Sequence, residues 1–549
     1  MLHVNCSGFD FHTALQATVA QGLVNRGDDG PRVYLSDLAE GLSNGQLDGA
    51  GYPGTKFIEW KVGHGDGPWY AGVPPCRNCA GLRARWLATF SAAANATPTP
   101  LTFDGLLRLA LPRLRGRVLV SAAEPHALLP ALTHAGVDAL LPITTAADPL
   151  PRLPLALDLR GKFADATAAT AYVARPSLLN RTNATAFAVQ APTCLPYLAD
   201  TIVAYRLAAF WMEDMCANAT QRREMLAFVN AAHFASAKGL TYLGWFNRTR
   251  NPNPEVLAEC EPRHRLLTLA SDQSDNLSFL ARLPAHIGAQ PPPWGGGPSR
   301  LYDPKRSYVA LVFSDGDNIA EDVATLRPML EQRVAAALAL GGDARLTPVS
   351  WTVSNRWLRW GPSVLAWMFA AGRATGSDSF LMGPSGYAYT FPGNMSAEAD
   401  KDWFAAATVG AAERLGMSGY VHWDVDQFLD PATTARTAAI LRRYDGTAVR
   451  GAFMLGSDPL PPAGATPTWV GDVAAFKPCV QWGGANASAV AAAIVAVPRG
   501  ELSYAYLTLG YDTSVVDEVA RLVAAAPHVE LVGYRELIEL AAQRRSRAS

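Results

Sequence analysis

The sequence predicts an α/β protein in two parts. An irregular, multi-part α/β region over residues 1–284, divisible into two or three subdomains, precedes a (β/α)8-like barrel over 307–545, with a Pro/Gly-rich linker at 285–306. Three observations predict this. Beyond residue 307, apolar runs rich in β-branched residues alternate with Ala/Leu-rich helical patterns in eight steps over about 240 residues, the count and length of such a barrel. Residues 284–306, PAHIGAQPPPWGGGPSRLYDPKR, set three consecutive prolines before three consecutive glycines, which continue neither a helix nor a central strand. The chain, at 549 residues, also exceeds one typical core.

In chain order, a strand at 2–6, a helix at 13–25 and a strand at 31–35 form a βαβ-like start, which gives way to a Gly-rich tract at 41–81. The pattern resumes with strands at 118–120 and 137–142 around a helix at 124–135, then LALDLRGKF at 155–163 and a helix at 164–174. Residues 198–235 read as two long helical segments containing Phe210, Trp211 and Met212, and strands follow at 241–245 and 266–270. The barrel strands are expected at 308–313, 349–353, 380–383, 419–423, 451–455, 479–482, 504–509 and 529–532. Helices are expected at 319–340, 363–374, 397–415, 432–443, 488–497 and 514–525. The gap at 457–475 reads as loop, so a seven-stranded or distorted barrel is the alternative.

Composition narrows the function classes. The formal net charge is −1, and like charges concentrate only at Arg544, Arg545 and Arg547, so the basic footprint of a nucleic-acid binder is missing. No apolar run approaches the roughly 20 residues that span a bilayer. Asn-X-Ser/Thr tripeptides begin at Asn5, Asn95, Asn180, Asn183, Asn218, Asn247, Asn276, Asn394 and Asn486, which predicts a secreted glycoprotein. Residues 1–4 show no signal peptide, and an Ala- and Thr-rich composition that makes such tripeptides by accident is the competing explanation. The seven cysteines include one CxxC, Cys76 and Cys79, for which disulfide pairing is favoured over zinc.

The chemistry concentrates where the barrel strands end, since ligands collect at the carboxyl ends of parallel strands. YVALVF runs into Ser314-Asp315-Gly316-Asp317-Asn318, and the fourth strand, GYVHW, runs into Asp424-Val425-Asp426-Gln427. Asp315, Asp317, Asp424 and Asp426 are the catalytic candidates, because glycoside hydrolysis uses paired carboxylates as acid, base and nucleophile. The same residue types also serve as ordinary turn and capping residues. The amides Asn318 and Asn355, Gly386, the rings of Tyr387, Tyr389, His422, Trp423 and Trp482, and Asp512 are the substrate-binding candidates. In a closed eight-stranded ring the first and fourth strands lie nearly opposite, which would hold the acid pairs apart across the rim. No metal and no cofactor is expected.

GPSGYAYTFP at 383–392 resembles the signature of the GxGYxYP family of putative glycoside hydrolases: Gly386-Tyr387-Ala388-Tyr389 fits GYxY. Pro384 replaces its first glycine, and Thr390-Phe391 precede the final Pro392. ALQATVAQGLVNR, PRVYL, DLRGKF, LADTIVAYR, DNLSF and FSDGDN are also similar to the family, in order, over nearly the whole chain. The resemblance implies a several-part N-terminal region, a C-terminal domain carrying the motif and a carbohydrate substrate. It transfers no catalytic residues. The leading expectation is a glycoside hydrolase. The alternatives are a metal-dependent carbohydrate deacetylase, with Asp315, Asp317 and His422 as ligands, and a non-catalytic glycan-binding protein.

Overall fold

The computed structural model describes residues 1–27, 32–36, 38, 82–121, 123–212, 215–245, 258–271, 274–283, 285, 300–314, 316–319, 322–340, 346–423, 431–455, 467–483, 486–508 and 513–548. The Gly-rich tract with Cys76 and Cys79, and most of the expected linker, lie outside them. The chain forms two compact units. The first holds the described residues through Ala285 together with Leu358–Ser363; the second holds the other described residues from 300 onward.

The first unit contains β1 (Leu2–Asn5), β2 (Val33–Ser36), β3 (Thr99–Pro100), β4 (Gly116–Leu119), β5 (Leu140–Ile143), β6 (Leu155–Asp158), β7 (Ala186–Val189), β8 (Ala208–Phe210), β9 (Leu240–Gly244) and β10 (Leu266–Ala270). They make three parallel sheets, ordered β2-β1-β3, β5-β4-β6 and β10-β9-β7-β8. In each, the first strand lies between the second and the third, so one winding is used three times.

The helix Phe11–Asn25 ties these sheets together. It is buried from Ala14 to Asn25, and Asp10 caps its start. Its buried amide side chains bond to neighbouring elements. Gln16 donates to the carbonyls of Pro142 and Ala147 beside β5. Gln21 and Asn25 both donate to Val33 O on β2. They also bond Asn276 Oδ1 (2.6 Å) and Ser278 Oγ (3.1 Å), which follow β10. Gly22 permits the closest approach, since a Cβ there would lie 2.4 Å from Asp200 O.

One expectation in this unit is overturned in part. Residues 198–235 do hold two helices, Ala199–Tyr205 and Ala219–Val229, but Phe210, Trp211 and Met212 lie in neither, and the first helix ends at Arg206 in the left-handed region (φ 53°). Phe210 then lies in β8, paired with β7. A short, continuous apolar run suits a buried strand as well as a helix, so periodicity does not separate them. Beside this sheet, Cys216 and Cys260 form a disulfide.

The second unit contains β11 (Ser307–Phe313), β12 (Val349–Val353), β13 (Asp378–Met382), β14 (Gly419–Trp423), β15 (Gly451–Leu455), β16 (Thr468–Val470), β17 (Val473–Phe476), β18 (Pro478–Gly483), β19 (Leu502–Leu507) and β20 (Val529–Val532). All eight expected strands form, with shifted ends at β13 and β19. The ladder order is β16-β17-β15-β14-β13-β12-β11-β19-β18, parallel except for the β16–β17 hairpin, which occupies the gap expected to be loop.

A closed eight-stranded ring is not what the ladders make: none among the described residues joins the two ends of this order. Instead, β17 and β18, which pair with opposite flanks of the sheet, are consecutive in the chain, separated by Lys477 alone. The expected eighth stave, β20, pairs with Ser307–Ala310 of β11, while β12 takes Val312 and Phe313.

Helices fill the intervals, among them Arg327–Leu340, Pro362–Thr375, Glu398–Leu415 and Ser514–Val523. The first is preceded by a π-helical turn, Asp322–Leu326, rather than running unbroken from 319. Pro328 has no N–H to continue an α-helical ladder backwards there. Arg333 on that helix is buried against Asp378 of β13, which also accepts from Trp351 Nε1 (3.2 Å).

Candidate active site

The turn that leaves β11 does not rise straight from the strand. Thr352 Oγ1 on β12 donates to Phe313 O (2.7 Å) and accepts from Gly316 N (3.0 Å). Gly316 lies so close to β12 that a Cβ would come within 2.1 Å of the Thr352 carbonyl. A Cβ on Gly383, just past β13, would come within 2.8 Å of Gly316 and 3.0 Å of Asp317 N. Two bare glycine backbones thus let the acidic turn fold sideways across β12 onto the end of β13. Asp317 and Asn318 are half-buried there.

From Gly383 the signature loop begins, with a cis peptide between Pro384 and Ser385. Ser385 Oγ donates to Trp423 O (3.1 Å) and accepts from Trp423 N (2.9 Å), fastening the loop to the end of β14. Gly386 adopts φ +95°, and a Cβ there would meet Thr408 Cγ2 at 2.8 Å, so this position excludes side chains on two counts. Its carbonyl accepts from Asn355 Nδ2 (2.7 Å), and Tyr387 N donates to Thr408 Oγ1 (3.2 Å).

The signature tyrosines are packed more than displayed. Tyr389 and Phe391 meet Trp423 edge-on at 4.8 and 5.3 Å between centroids, and Tyr389 and Trp423 are buried. Tyr387 is only half-buried; it stands edge-on to Trp403 of the helix Glu398–Leu415, and the buried Arg356 guanidinium lies 4.5 Å above its ring.

His422 does not reach solvent. Its Nδ1 pairs with Tyr420 Oη at 2.8 Å, and its buried Nε2 has no hydrogen-bond partner among the described residues. Burial drives its pKa down to about 3, so the imidazole is neutral. Asp315, Asp424, Asp426, Asp512 and the side chain of Trp482 lie outside the described residues. Of the sequence-predicted residues, the structure therefore brings together Asp317, Asn318, Asn355, Gly386, Tyr387, Tyr389 and Trp423 along the ends of β11 to β14. His422 is sealed away from them. Sequence reasoning missed Thr352 and Thr408, whose hydroxyls hold the two loops; a threonine in a strand or helix carries no local signal of such a contact. Among the described residues, no three His, Cys, Asp or Glu side chains gather in a metal-binding group.

A comparison with curated proteins finds no match. Among solved structures, the chain is similar to a putative hydrolase from Bacteroides thetaiotaomicron VPI-5482, with a TM-score of 0.71 and 16% identity. The likeness covers 99% of this chain and 94% of that one, and at this identity it speaks to the fold alone. Residues 305–459, which carry the acidic turn after β11 and the loop fastened to Trp423, match the model of the GxGYxYP putative glycoside hydrolase C-terminal domain.

Proposed function

We propose that the chain is a glycoside hydrolase acting on a poly- or oligosaccharide through carboxylates at the ends of β11 and β14. One observation carries the reading. The turn bearing Asp317 crosses β12 to abut Gly383, and Ser385 is bonded to Trp423, the residue before Asp424. Although β12 and β13 separate β11 from β14, the turn after β11 thus reaches the end of β13, the strand beside β14. Adjacent strands lie about 4.8 Å apart. That scale suits carboxylates separated by roughly 5–9.5 Å, the range over which paired acids hydrolyse glycosides.

In this reading Asp315 or Asp317 works with Asp424 or Asp426, one as acid and the other as base or nucleophile. Asn318 and the exposed part of Tyr387 contact the sugar. Asn355, Gly386, Tyr389 and Trp423 shape the loop, because each is already committed to a partner within it. The second unit then acts as a distorted barrel, a reading supported by the parallel run of the eight expected strands and by the chain continuity of β17 and β18.

The same proposal places the chain in the secretory pathway. The Cys216–Cys260 disulfide supports an oxidising compartment. Asn5, Asn95, Asn180, Asn218 and Asn486 are exposed, as glycosylation requires, whereas Asn276 is buried. No helix among the described residues is long and apolar enough to cross a membrane.

The test is release of reducing ends by the purified full chain across a panel of poly- and oligosaccharides. Turnover on at least one member is expected. Folded protein that binds a glycan without cleaving it would favour the non-catalytic alternative, and release of acetate from acetylated glycans would favour the deacetylase.

A further inference from the structure

We propose that Thr352 and Ser385 are a matched pair of positioning residues that aim the two acid-bearing loops, an inference that rests on the hydrolase reading. The two hydroxyls do the same job on neighbouring strand pairs. Thr352 accepts from an N–H and donates to a C=O at the end of β11, where the chain departs toward Asp317. Ser385 accepts from the N–H and donates to the C=O of Trp423 at the end of β14, where the chain departs toward Asp424.

Both hydroxyls act where regular pairing has run out. The β11–β12 ladder ends at Phe313↔Trp351, and the β13–β14 ladder holds the single pair Met382↔Tyr420. Beyond those points these ladders hold no further pair, and a side-chain oxygen takes the place of a backbone partner. Thr352 and Ser385 are both buried, so no water replaces the hydroxyl freely if it is removed. The departing backbone would then relax toward another partner and carry its carboxylates with it. A displacement near 1 Å costs about 100-fold in rate when acid and base must straddle one bond. Neither hydroxyl is assigned contact with the sugar; each acts through the loop it holds.

A purely structural role would lower stability and leave the folded protein's kcat alone, so the test separates the two. Thr352→Val keeps the shape and removes the hydroxyl; Thr352→Ser keeps the hydroxyl and removes a methyl; Ser385→Ala removes the second clamp. Each full-length variant is assayed on 4-nitrophenyl glycosides and on polysaccharide, and by amide hydrogen exchange. Thr352→Val and Ser385→Ala are expected to lose about 100-fold in kcat on polysaccharide with KM little changed, with Thr352→Ser close to wild type. Exchange should quicken roughly tenfold at the Gly316 amide in Thr352→Val and at the Trp423 amide in Ser385→Ala, the loss of one net hydrogen bond.

Wild-type kcat in both hydroxyl-deleting variants would overturn the proposal, as would unchanged exchange at both amides. Asp315→Asn, Asp317→Asn, Asp424→Asn and Asp426→Asn, run beside them, judge the hydrolase reading separately. If one acid after each strand proves essential while the clamp variants are normal, the positioning claim alone falls. If all four are as active as wild type, the assignment of the acids falls, whatever the exchange data show.

Discussion

Glu261 offers a prediction whose size follows from its surroundings. It is fully buried between β9 and β10, where Tyr242 Oη (2.7 Å) and Thr268 Oγ1 (2.6 Å) donate to its two oxygens. Burial outweighs these hydroxyls and raises its pKa from 4.5 to about 8. A carboxyl whose folded pKa is raised holds its proton more tightly in the folded state. Its contribution is therefore complete below the unfolded pKa and is lost as pH rises toward the folded one. With 1.36 kcal/mol per unit, the loss from pH 4.5 is about 2 kcal/mol by pH 6 and about 4 kcal/mol by pH 8. Glu261→Gln keeps the shape and the hydrogen-bonding capacity but does not titrate. Urea unfolding of both proteins at pH 4.5, 6 and 8 should show near-equal stability at the lowest pH. The variant should lead by about 3–4 kcal/mol at the highest. Asp200, also buried and raised to about 6, is common to both proteins and cancels. A constant difference across this range would refute the reasoning, because it would mean that Glu261 does not change its proton affinity on folding.

Three further outcomes follow from the same structure. Asn276→Ala removes the amide that pairs with both Leu35 N and Leu35 O and leaves them buried without a partner, so thermal or urea unfolding should show a loss of about 2–4 kcal/mol. In a glycosylating secretory host, peptide mass mapping should find glycan among Asn95, Asn180, Asn218 and Asn486 and none on Asn276; modification of Asn276 in folded protein would contradict its buried placement. Arg333→Leu strands the buried Asp378 carboxylate and should cost about 3–5 kcal/mol in urea unfolding, with Arg333→Leu/Asp378→Asn recovering part of it.

The strands of the second unit were legible because strands buried on both faces read as continuous apolar runs: Val349–Val353, Gly419–Trp423, Gly451–Leu455 and Val529–Val532 form where the sequence predicts them. The same property hid β8, whose run of LAAFWM has no period to distinguish strand from helix. The β16–β17 hairpin was missed although Gly471-Asp472 sits at its turn between Thr468–Val470 and Val473–Phe476; the short strands were lost in a Pro- and Gly-rich stretch.

At the site, the acidic turn and the tyrosine loop were visible as residue types. Their relation was not. That Gly316 rests on Thr352 and Gly383 on Asp317 is a tertiary fact, since a glycine in sequence announces a turn and not the backbone it lies against. His422 shows the converse: at a strand end it read as a substrate contact, but it shares a face with Tyr420 and turns inward to it.

The central claim is that acids after β11 and β14 cleave glycosidic bonds. Its most direct test is turnover by Asp315→Asn, Asp317→Asn, Asp424→Asn and Asp426→Asn, each checked for wild-type folding by circular dichroism, on a polysaccharide that the wild type cleaves. If these carboxylates do the proton transfer and nucleophilic work, kcat should fall by about 100-fold or more in at least one variant after each strand while the fold is unchanged. Undiminished turnover in all four would contradict the account.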